Sequence, residues 1–319
     1  MALRDYLVGE VTEDFADGRM SRREALRRLG FLGLGVTGAS ALLAACGGGD
    51  DDDGATADTS PAGETSAPES ATTSAAPDTT SAEPTTIPPD VPSTEAQMIT
   101  FAGPNGELTG AYAAPSSPKA AVLVVHENRG LTPHFSDVVS RLANDGYAAL
   151  AVDLLSEEGG TASMADEGQA IGALGAAPME RLLGDLRAGI DELEQRVPGA
   201  SIGAIGFCFG GGMVWNLLDT GEPRLAAAVP FYGPAPAAPD FSGMQTAVLG
   251  VYAELDDRVN ATREVAGAAL ASAGVPHELK TYEGADHAFF NDTGERYNEA
   301  AANAAYADVL NWFSEHLDS

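Results

Sequence analysis

One cysteine lies where a nucleophile would be presented at a sharp turn. The segment AIGFCFGGGMVW at 204–215 places Cys208 directly after an apolar run and before a helical pattern, with Gly206 and Gly210 two residues to either side. This G-x-nucleophile-x-G spacing is typical of a strand-to-helix elbow, where a Cβ at either glycine would collide with neighbouring backbone. The start of a helix also favours a thiolate over a thiol. An isolated cysteine is usually a small core residue, but this spacing favours a sulfur that attacks an electrophile.

An elbow nucleophile requires an acid and a histidine from loops later in the chain. Asp256 and Asp257 both follow an apolar run at 246–253, and His287 follows the last predicted strand. The residues occur in the order nucleophile, acid, histidine, and each follows a strand. This order predicts a triad of Cys208, one of the two aspartates and His287.

The elements that must position these groups alternate along the chain. Short apolar runs predict strands, and amphipathic patterns at 134–146, 178–197, 260–273 and 296–317 predict helices. The predicted strands cover 98–101, 110–115, 120–127, 147–154, 201–207, 225–233, 246–253 and 277–284. The middle runs are almost continuously apolar, which is typical of parallel strands buried on both faces. We therefore predict an α/β fold with a mostly parallel, doubly wound sheet, helices on both faces and an antiparallel pair at its first edge.

Four separated motifs resemble one known family. They are HENRG at 126–130, GFCFGGG at 206–212, LDDRVNA at 255–261 and YEGADHAF at 282–289. In this order they are similar to the dienelactone hydrolase family of α/β hydrolases, and the likeness runs from about residue 97 to the end. The resemblance implies an α/β-hydrolase fold and a small-molecule ester or lactone as substrate.

The resemblance also implies roles for single residues. Cys208 would be the nucleophile and His287 the general base. Asp256 would be the acid because it lies three residues before Val259, and Asp257 is the alternative. The product of the first step would be a thiol ester of the acyl group on Cys208.

Three further residues have implied roles near the nucleophile. Glu127 resembles the family's glutamate that contacts the resting thiol and takes its proton when substrate arrives. The backbone N–H groups of Phe209 and Asn128 would stabilise the oxyanion.

The chain departs from the family at one substrate-binding position. The family's lactone hydrolases have an arginine four residues past the histidine, and this chain has Asn291 there. Arg129, Arg258 and Arg296 are the candidates to replace that arginine as contacts of a substrate carboxylate.

The other histidines predict no metal site. HENRG differs from the zinc motif HExxH because Gly130 occupies the second histidine position, so we predict a structural role for His126. His134, His277 and His316 are predicted to lie on the surface. We expect neither a metal nor a cofactor.

Residues 1–46 resemble an export signal. Arg22 and Arg23 form the twin arginine of SRREAL, a short apolar stretch follows, and LAAC at 43–46 resembles a bacterial lipobox. The pattern predicts Tat export and lipidation of Cys46, which would anchor the protein on the outer side of the cytoplasmic membrane. An ordinary cleaved signal and an uncleaved anchor helix are the alternatives.

Composition separates a tether from the catalytic part. Residues 47–93 consist almost entirely of Gly, Ser, Thr, Pro, Ala and acidic residues, which predicts a disordered acidic tether. Residues 94–319 are predicted to form the hydrolase domain. The formal net charge of −30 argues against a nucleic-acid partner.

Two alternative functions remain open at this point. The protein could be a related α/β hydrolase, such as a thioesterase or peptidase, or a non-catalytic, lipid-tethered binding protein.

Overall fold

The computed structural model describes residues 3–45 and 93–318. The strands of its sheet are β1 Ser93–Ala102, β2 Glu107–Ala114, β3 Ala121–Val125, β4 Ala148–Val152, β5 Ile202–Phe207, β6 Leu225–Phe231, β7 Ala247–Ala253 and β8 His277–Tyr282. The helices are α1 Leu3–Ala16, α2 Arg22–Phe31, α3 Val36–Ala45, α4 Pro133–Asn144, α5 Glu167–Ala176, α6 Met179–Arg196, α7 Phe209–Asp219, α8 Asp257–Asn260, α9 Arg263–Ala273 and α10 Glu299–His316. Short 3₁₀ turns at Ser156–Glu158 and Thr161–Ser163 lie between β4 and α5.

The strands form one eight-stranded sheet in the order β1-β2-β4-β3-β5-β6-β7-β8. β1 and β2 pair antiparallel, β2 joins β4 antiparallel, and every pair from β4 to β8 is parallel. All residues of β3, β4 and β5 are buried, as their continuous apolar sequence requires. The predicted antiparallel edge is confirmed.

Helices cover both faces of this sheet. Gly203 of β5 lies against Phe313 and Leu317 at the C-terminal end of the chain, whereas Gly206 of the same strand lies against Val214 of α7. Because side chains alternate between the faces of a strand, these contacts place α10 and α7 on opposite faces. The predicted α/β-hydrolase fold is confirmed. The first strand is longer than expected and begins at Ser93, one residue before the predicted start of the domain.

Residues 3–45 fold into three helices that pack on the hydrolase domain, an arrangement that the sequence analysis did not predict. Helix α5 presents glycines at this contact, which lets larger side chains approach closely: Gly172 lies against Phe31, and Gly175 lies against Leu7 and Leu32. Ion pairs flank the contact. They join Arg27 to Asp166, Arg28 to Glu167, Arg19 to Asp286, Arg258 to Glu13 and Arg296 to Asp14.

Cys46 and the predicted tether up to residue 92 lie outside the described residues. Among residues 3–45 and 93–318, none of the helices combines the length and the apolarity that a membrane crossing requires.

Candidate active site

Cys208 occupies the turn between β5 and α7. Its backbone has φ 56° and ψ −117°, a conformation that side chains rarely adopt. The turn is held because the Cys208 N–H donates to Phe231 O over 3.0 Å and its carbonyl accepts from Gly212 N over 3.1 Å. A Cβ on Gly206 would lie 2.2 Å from Gly210 O, and a Cβ on Gly210 would lie 2.2 Å from Val125 O. Glycine is therefore required on both sides of the nucleophile position.

His287 and Asp256 come together from loops after β8 and β7. The His287 Nδ1 atom lies 2.6 Å from Asp256 Oδ2, and both side chains are buried. The other oxygen of Asp256 accepts from Val259 N at the start of α8, which fixes the carboxylate. The neighbouring Asp257 is exposed on α8. The structure thus brings Asp256, rather than the alternative acid, to the histidine.

The other ring nitrogen of His287 faces the thiol. Within the described part of the chain, His287 Nε2 is buried and has no hydrogen-bond partner of good geometry. It lies 3.6 Å from Glu10 Oε1. A carboxylate oxygen of Glu10, the sulfur of Cys208 and a ring nitrogen of His287 all lie within 4.8 Å of one another. The predicted nucleophile and base therefore share one small buried space.

Glu10 of α1 completes this cluster, and sequence reasoning missed it. The Cys208 thiol donates to Glu10 Oε1 over 3.3 Å, and Asn128 Nδ2 donates to Glu10 Oε2 over 2.9 Å. The Tyr6 hydroxyl lies 3.3 Å from the Cys208 sulfur. The available signal was the helical spacing of Tyr6, Leu7, Glu10 and Val11, all buried, in a segment that was interpreted as a leader.

Glu127 is close to the site but has other partners. Its carboxylate accepts from Asn291 Nδ2 over 2.9 Å and from the Tyr232 hydroxyl over 3.4 Å. The implied contact between Glu127 and the resting thiol is absent among the described residues, where Glu10 makes that contact instead. The physical reason is that α1 brings its own carboxylate within reach of the sulfur.

Phe209 directly follows Cys208, and Asn128 lines the same cavity as Cys208; their role as oxyanion donors stays a prediction. Phe209 is the first residue of α7, so its N–H has no acceptor within the helix. Asn128 lies in the loop after β3 and is buried, and its side chain is directed at Glu10.

A cavity of about 300 Å³ opens beside Cys208. Arg129 and Arg296, two of the three candidate carboxylate contacts, line it together with Asn291. Arg258 is absent from this lining and instead pairs with Glu13 of α1 over 3.1 Å. Arg129 pairs with Glu167, and Arg296 pairs with Asp14.

Burial and neighbouring charges shift the pKa values of Cys208 and His287. Burial raises the pKa of the Cys208 thiol, and the Glu10 carboxylate raises it further. Burial alone would lower the pKa of His287, but the Asp256 carboxylate and the Cys208 sulfur together outweigh burial and raise that pKa well above its ordinary value. The histidine is therefore a strong proton acceptor beside a thiol that ionises reluctantly.

Two other histidines have structural roles. His126 is fully buried, with Nδ1 2.7 Å from Glu127 O, and its Nε2 accepts from Leu154 N over 3.1 Å. Burial lowers the pKa of His126, so the ring is neutral and braces the loop after β3, as predicted. The prediction that His134 lies on the surface is wrong: it is buried, with Nδ1 2.9 Å from Asp292 Oδ1.

Comparison with known proteins supplies the family. Residues 108–317 match the family model described as "Dienelactone hydrolase family". The chain belongs to the dienelactone hydrolase family. Two curated relatives carry the provisional name carboxymethylenebutenolidase. One, from Salmonella typhi, is 30% identical over 253 residues, which cover 73% of this chain and 92% of the relative. The other, from Saccharolobus solfataricus, is 28% identical and covers 66% of this chain and 95% of its own length.

Solved structures of dienelactone hydrolases have the same fold. A provisionally named dienelactone hydrolase from Klebsiella pneumoniae superposes with a TM-score of 0.61 at 26% identity, covering 69% of this chain and 98% of its own. A dienelactone hydrolase-like promiscuous phosphotriesterase from metagenomic libraries gives a TM-score of 0.58 at 28% identity, covering 70% and 98%. As a member of the dienelactone hydrolase family, this chain is a carboxylic ester or lactone hydrolase.

Proposed function

We propose that this hydrolase cleaves its ester or lactone through a Cys208–His287–Asp256 triad with a thiol-ester intermediate. The observation that carries the proposal is the 2.6 Å contact of His287 Nδ1 with Asp256, which directs Nε2 toward the cluster that contains the sulfur. An elbow nucleophile, an oriented base and a buried acid are the three parts that such a reaction needs.

Acylation begins when His287 Nε2 takes the proton of the Cys208 thiol. The sulfur attacks the carbonyl carbon, and the negative charge moves to the carbonyl oxygen. The N–H groups of Phe209 and Asn128 donate to that oxyanion. When it collapses, the C–O bond to the alcohol breaks, the His287 proton passes to the leaving oxygen, and the acyl group remains on sulfur. In a lactone the alcohol stays attached to the acyl chain.

Deacylation repeats these steps with water. His287 takes a proton from water, the oxygen attacks the thiol ester, and the C–S bond breaks as the second oxyanion collapses. The proton returns to sulfur and a carboxylic acid leaves. Asp256 stays ionised and stabilises the protonated imidazole in both steps. Arg296 and Arg129 line the cavity in which a substrate carboxylate would lie.

Ester turnover by single variants tests the triad. With p-nitrophenyl acetate, we expect Cys208→Ala and His287→Ala each to lose nearly all turnover, and iodoacetamide to inactivate the parent protein. The variant Cys46→Ser, which changes the other cysteine of the chain, is the matched control: when both proteins are prepared without export and processing, it has the turnover of the parent. Full turnover by either triad variant would exclude this mechanism.

We also propose that Cys46 carries a lipid that holds the enzyme on the outer side of the cytoplasmic membrane after Tat export. The lipobox-like LAAC at 43–46 supports this, as do the twin arginines at the start of α2. Arg22 and Arg23 are exposed, so a receptor could reach them. The Cys46→Ala variant, expressed in a bacterium with this export route, should lose membrane partitioning and the mass of the lipid. Unchanged partitioning and mass would contradict the anchor.

A further inference from the structure

The N-terminal helix α1 lies over the candidate nucleophile. Cys208 is only 2% exposed, although an elbow nucleophile must be reached by its substrate. Glu10 accepts from the thiol over 3.3 Å, and the Tyr6 hydroxyl is at the same distance from the sulfur. A substrate carbonyl carbon must come within about 3–3.5 Å of the sulfur to react. Glu10 and Tyr6 each place an oxygen at that same distance from the sulfur and so take up part of the space around it.

Three acidic side chains of α1 meet complementary groups of the hydrolase domain. Glu10 accepts from the Asn128 amide, as described above. Glu13 lies 3.1 Å from Arg258 Nε, and Asp14 lies 3.0 Å from Arg296 Nη1. Arg258 also stacks over the Tyr6 ring, with its guanidinium carbon 4.5 Å from the ring centroid. Donors on the domain are therefore matched by acceptors on one helix.

We propose that the groups around Cys208, namely Asn128, Arg258, Arg296 and His287, form a docking surface for the acidic helix α1, and that the docked helix blocks the enzyme. The occupant is residues 3–16 of this same chain. Docking is independent of the reaction, whereas blocking rests on the proposed function of Cys208. Catalysis then requires α1 to leave, because the helix takes the place of the substrate at the sulfur.

The helix also competes for the groups that a charged substrate would need. Asp14 pairs with Arg296, a candidate contact of a substrate carboxylate that lines the cavity beside Cys208. An anionic ester or lactone that uses Arg296 must displace Asp14 as well as Glu10.

The proposed lipidation supplies a way to remove the helix. Cleavage before Cys46 would separate α1, α2 and α3 from the domain, since all three lie before that residue. The blocked form would then be the precursor, and the active form would be the processed chain.

Charge removal in the full-length chain tests the docking. In a Cys46→Ser background, Glu10→Ala/Asp14→Ala removes two acidic groups that face the domain. The matched control, Asp5→Ala/Asp17→Ala, removes two exposed acidic groups on and directly after the same helix. Two readouts are measured for each protein: the rate of Cys208 alkylation by iodoacetamide, followed by mass spectrometry, and turnover of p-nitrophenyl acetate.

We expect Glu10→Ala/Asp14→Ala to raise both rates by about tenfold, the effect of weakening two charge-assisted contacts, and the control to change neither. An unchanged alkylation rate would overturn the docking. Faster alkylation with slower turnover would overturn the block, because Glu10 would then assist the reaction. If alkylation accelerates but no variant hydrolyses the ester, the docking stands and the proposed function fails. If Cys208→Ala abolishes turnover but the helix variants are alkylated at the rate of the parent, the proposed function stands and the docking fails.

A second, more conservative double variant controls for loss of folding. Glu10→Gln/Asp14→Asn keeps the side-chain shapes, and we expect the same direction of change with a smaller increase. Circular dichroism and thermal unfolding of each variant establish that the domain is folded, so unchanged rates in a folded mild variant would also count against the docking.

Discussion

His287 Nδ1 lies 2.6 Å from Asp256 Oδ2, between loops that are 31 residues apart in the chain. The contact holds the imidazole so that Nδ1 donates its proton to the carboxylate and Nε2 is the nitrogen that exchanges a proton with the thiol. It also contributes to the raised pKa of this buried histidine, because the carboxylate and the Cys208 sulfur together offset the cost of burying a positive ring. The contact between His287 and Asp256 therefore leaves Nε2 as the ring atom that can take the proton of the thiol.

Replacing the carboxylate by an amide tests that arrangement. We expect Asp256→Asn to lower kcat for ester hydrolysis by about 10³–10⁴-fold with little change in KM, because an amide allows the wrong tautomer of His287. The asparagine oxygen can still accept from Val259 N, so the fold should persist. Asp257→Asn is the matched control: it is adjacent and exposed, and should keep full activity. Equal effects of both substitutions would contradict the assignment of Asp256.

The pH dependence of Cys208 alkylation follows from its raised pKa. Only the thiolate reacts with iodoacetamide, and burial together with the Glu10 carboxylate raises the pKa of this thiol. The groups that face the sulfur are Tyr6 and Glu10 of α1, Glu127 after β3, Tyr232 after β6, His287 after β8 and Arg296 before α10. The anionic groups disfavour a second negative charge, whereas His287 and Arg296 favour it.

We therefore expect the alkylation rate of a Cys46→Ser protein to keep rising as the pH passes about 8.5, where a free cysteine is half ionised. At pH 7 the thiolate fraction, and with it the rate, should be below that of a free thiol such as glutathione. Alkylation rates measured from pH 6 to pH 10 test this expectation. A profile that levels off below pH 8 would show a depressed pKa instead and would contradict this prediction.

The elbow predicts a sharp difference between two glycine substitutions. A Cβ at Gly210 would lie 2.2 Å from Val125 O and 2.6 Å from His126 O, which are backbone atoms that cannot rotate away. We expect Gly210→Ala to lower the free energy of unfolding by about 3 kcal/mol or to prevent folding. At Gly106, in the turn between β1 and β2, a Cβ would have no neighbouring atom of the described residues within 4 Å, so Gly106→Ala should change the free energy of unfolding by less than about 1 kcal/mol.

Urea unfolding followed by circular dichroism measures both glycine variants. If Gly210→Ala proves as stable as Gly106→Ala, the close approach of α7 to β3 is not the reason for glycine at this position.

Most of the fold was predictable because its signals are local. Continuous apolar runs predicted the buried parallel strands, and the glycines around Cys208 predicted the elbow because the backbone crowding they relieve is created by the turn itself. The order of Cys208, the aspartates and His287 follows from the succession of strands. These features depend on residues that are neighbours in sequence, or on a regular alternation of elements.

Other features depend on where distant segments meet. Asp256 and Asp257 give the same sequence signal, and only the path of the chain from β7 into α8 turns one toward His287 and leaves the other exposed. His134 is buried by packing around α4 that its own neighbours do not reveal.

The contact between Glu10 and Cys208 joins residues 198 positions apart. The sequence by itself determined the fold class, the nucleophile turn and the family; the tertiary structure alone decided which carboxylate meets the thiol. The reason is that this choice depends on apolar faces of α1, α2 and α5 packing together, and the periodicity of α1 indicates only which of its faces is buried, not what that face packs against.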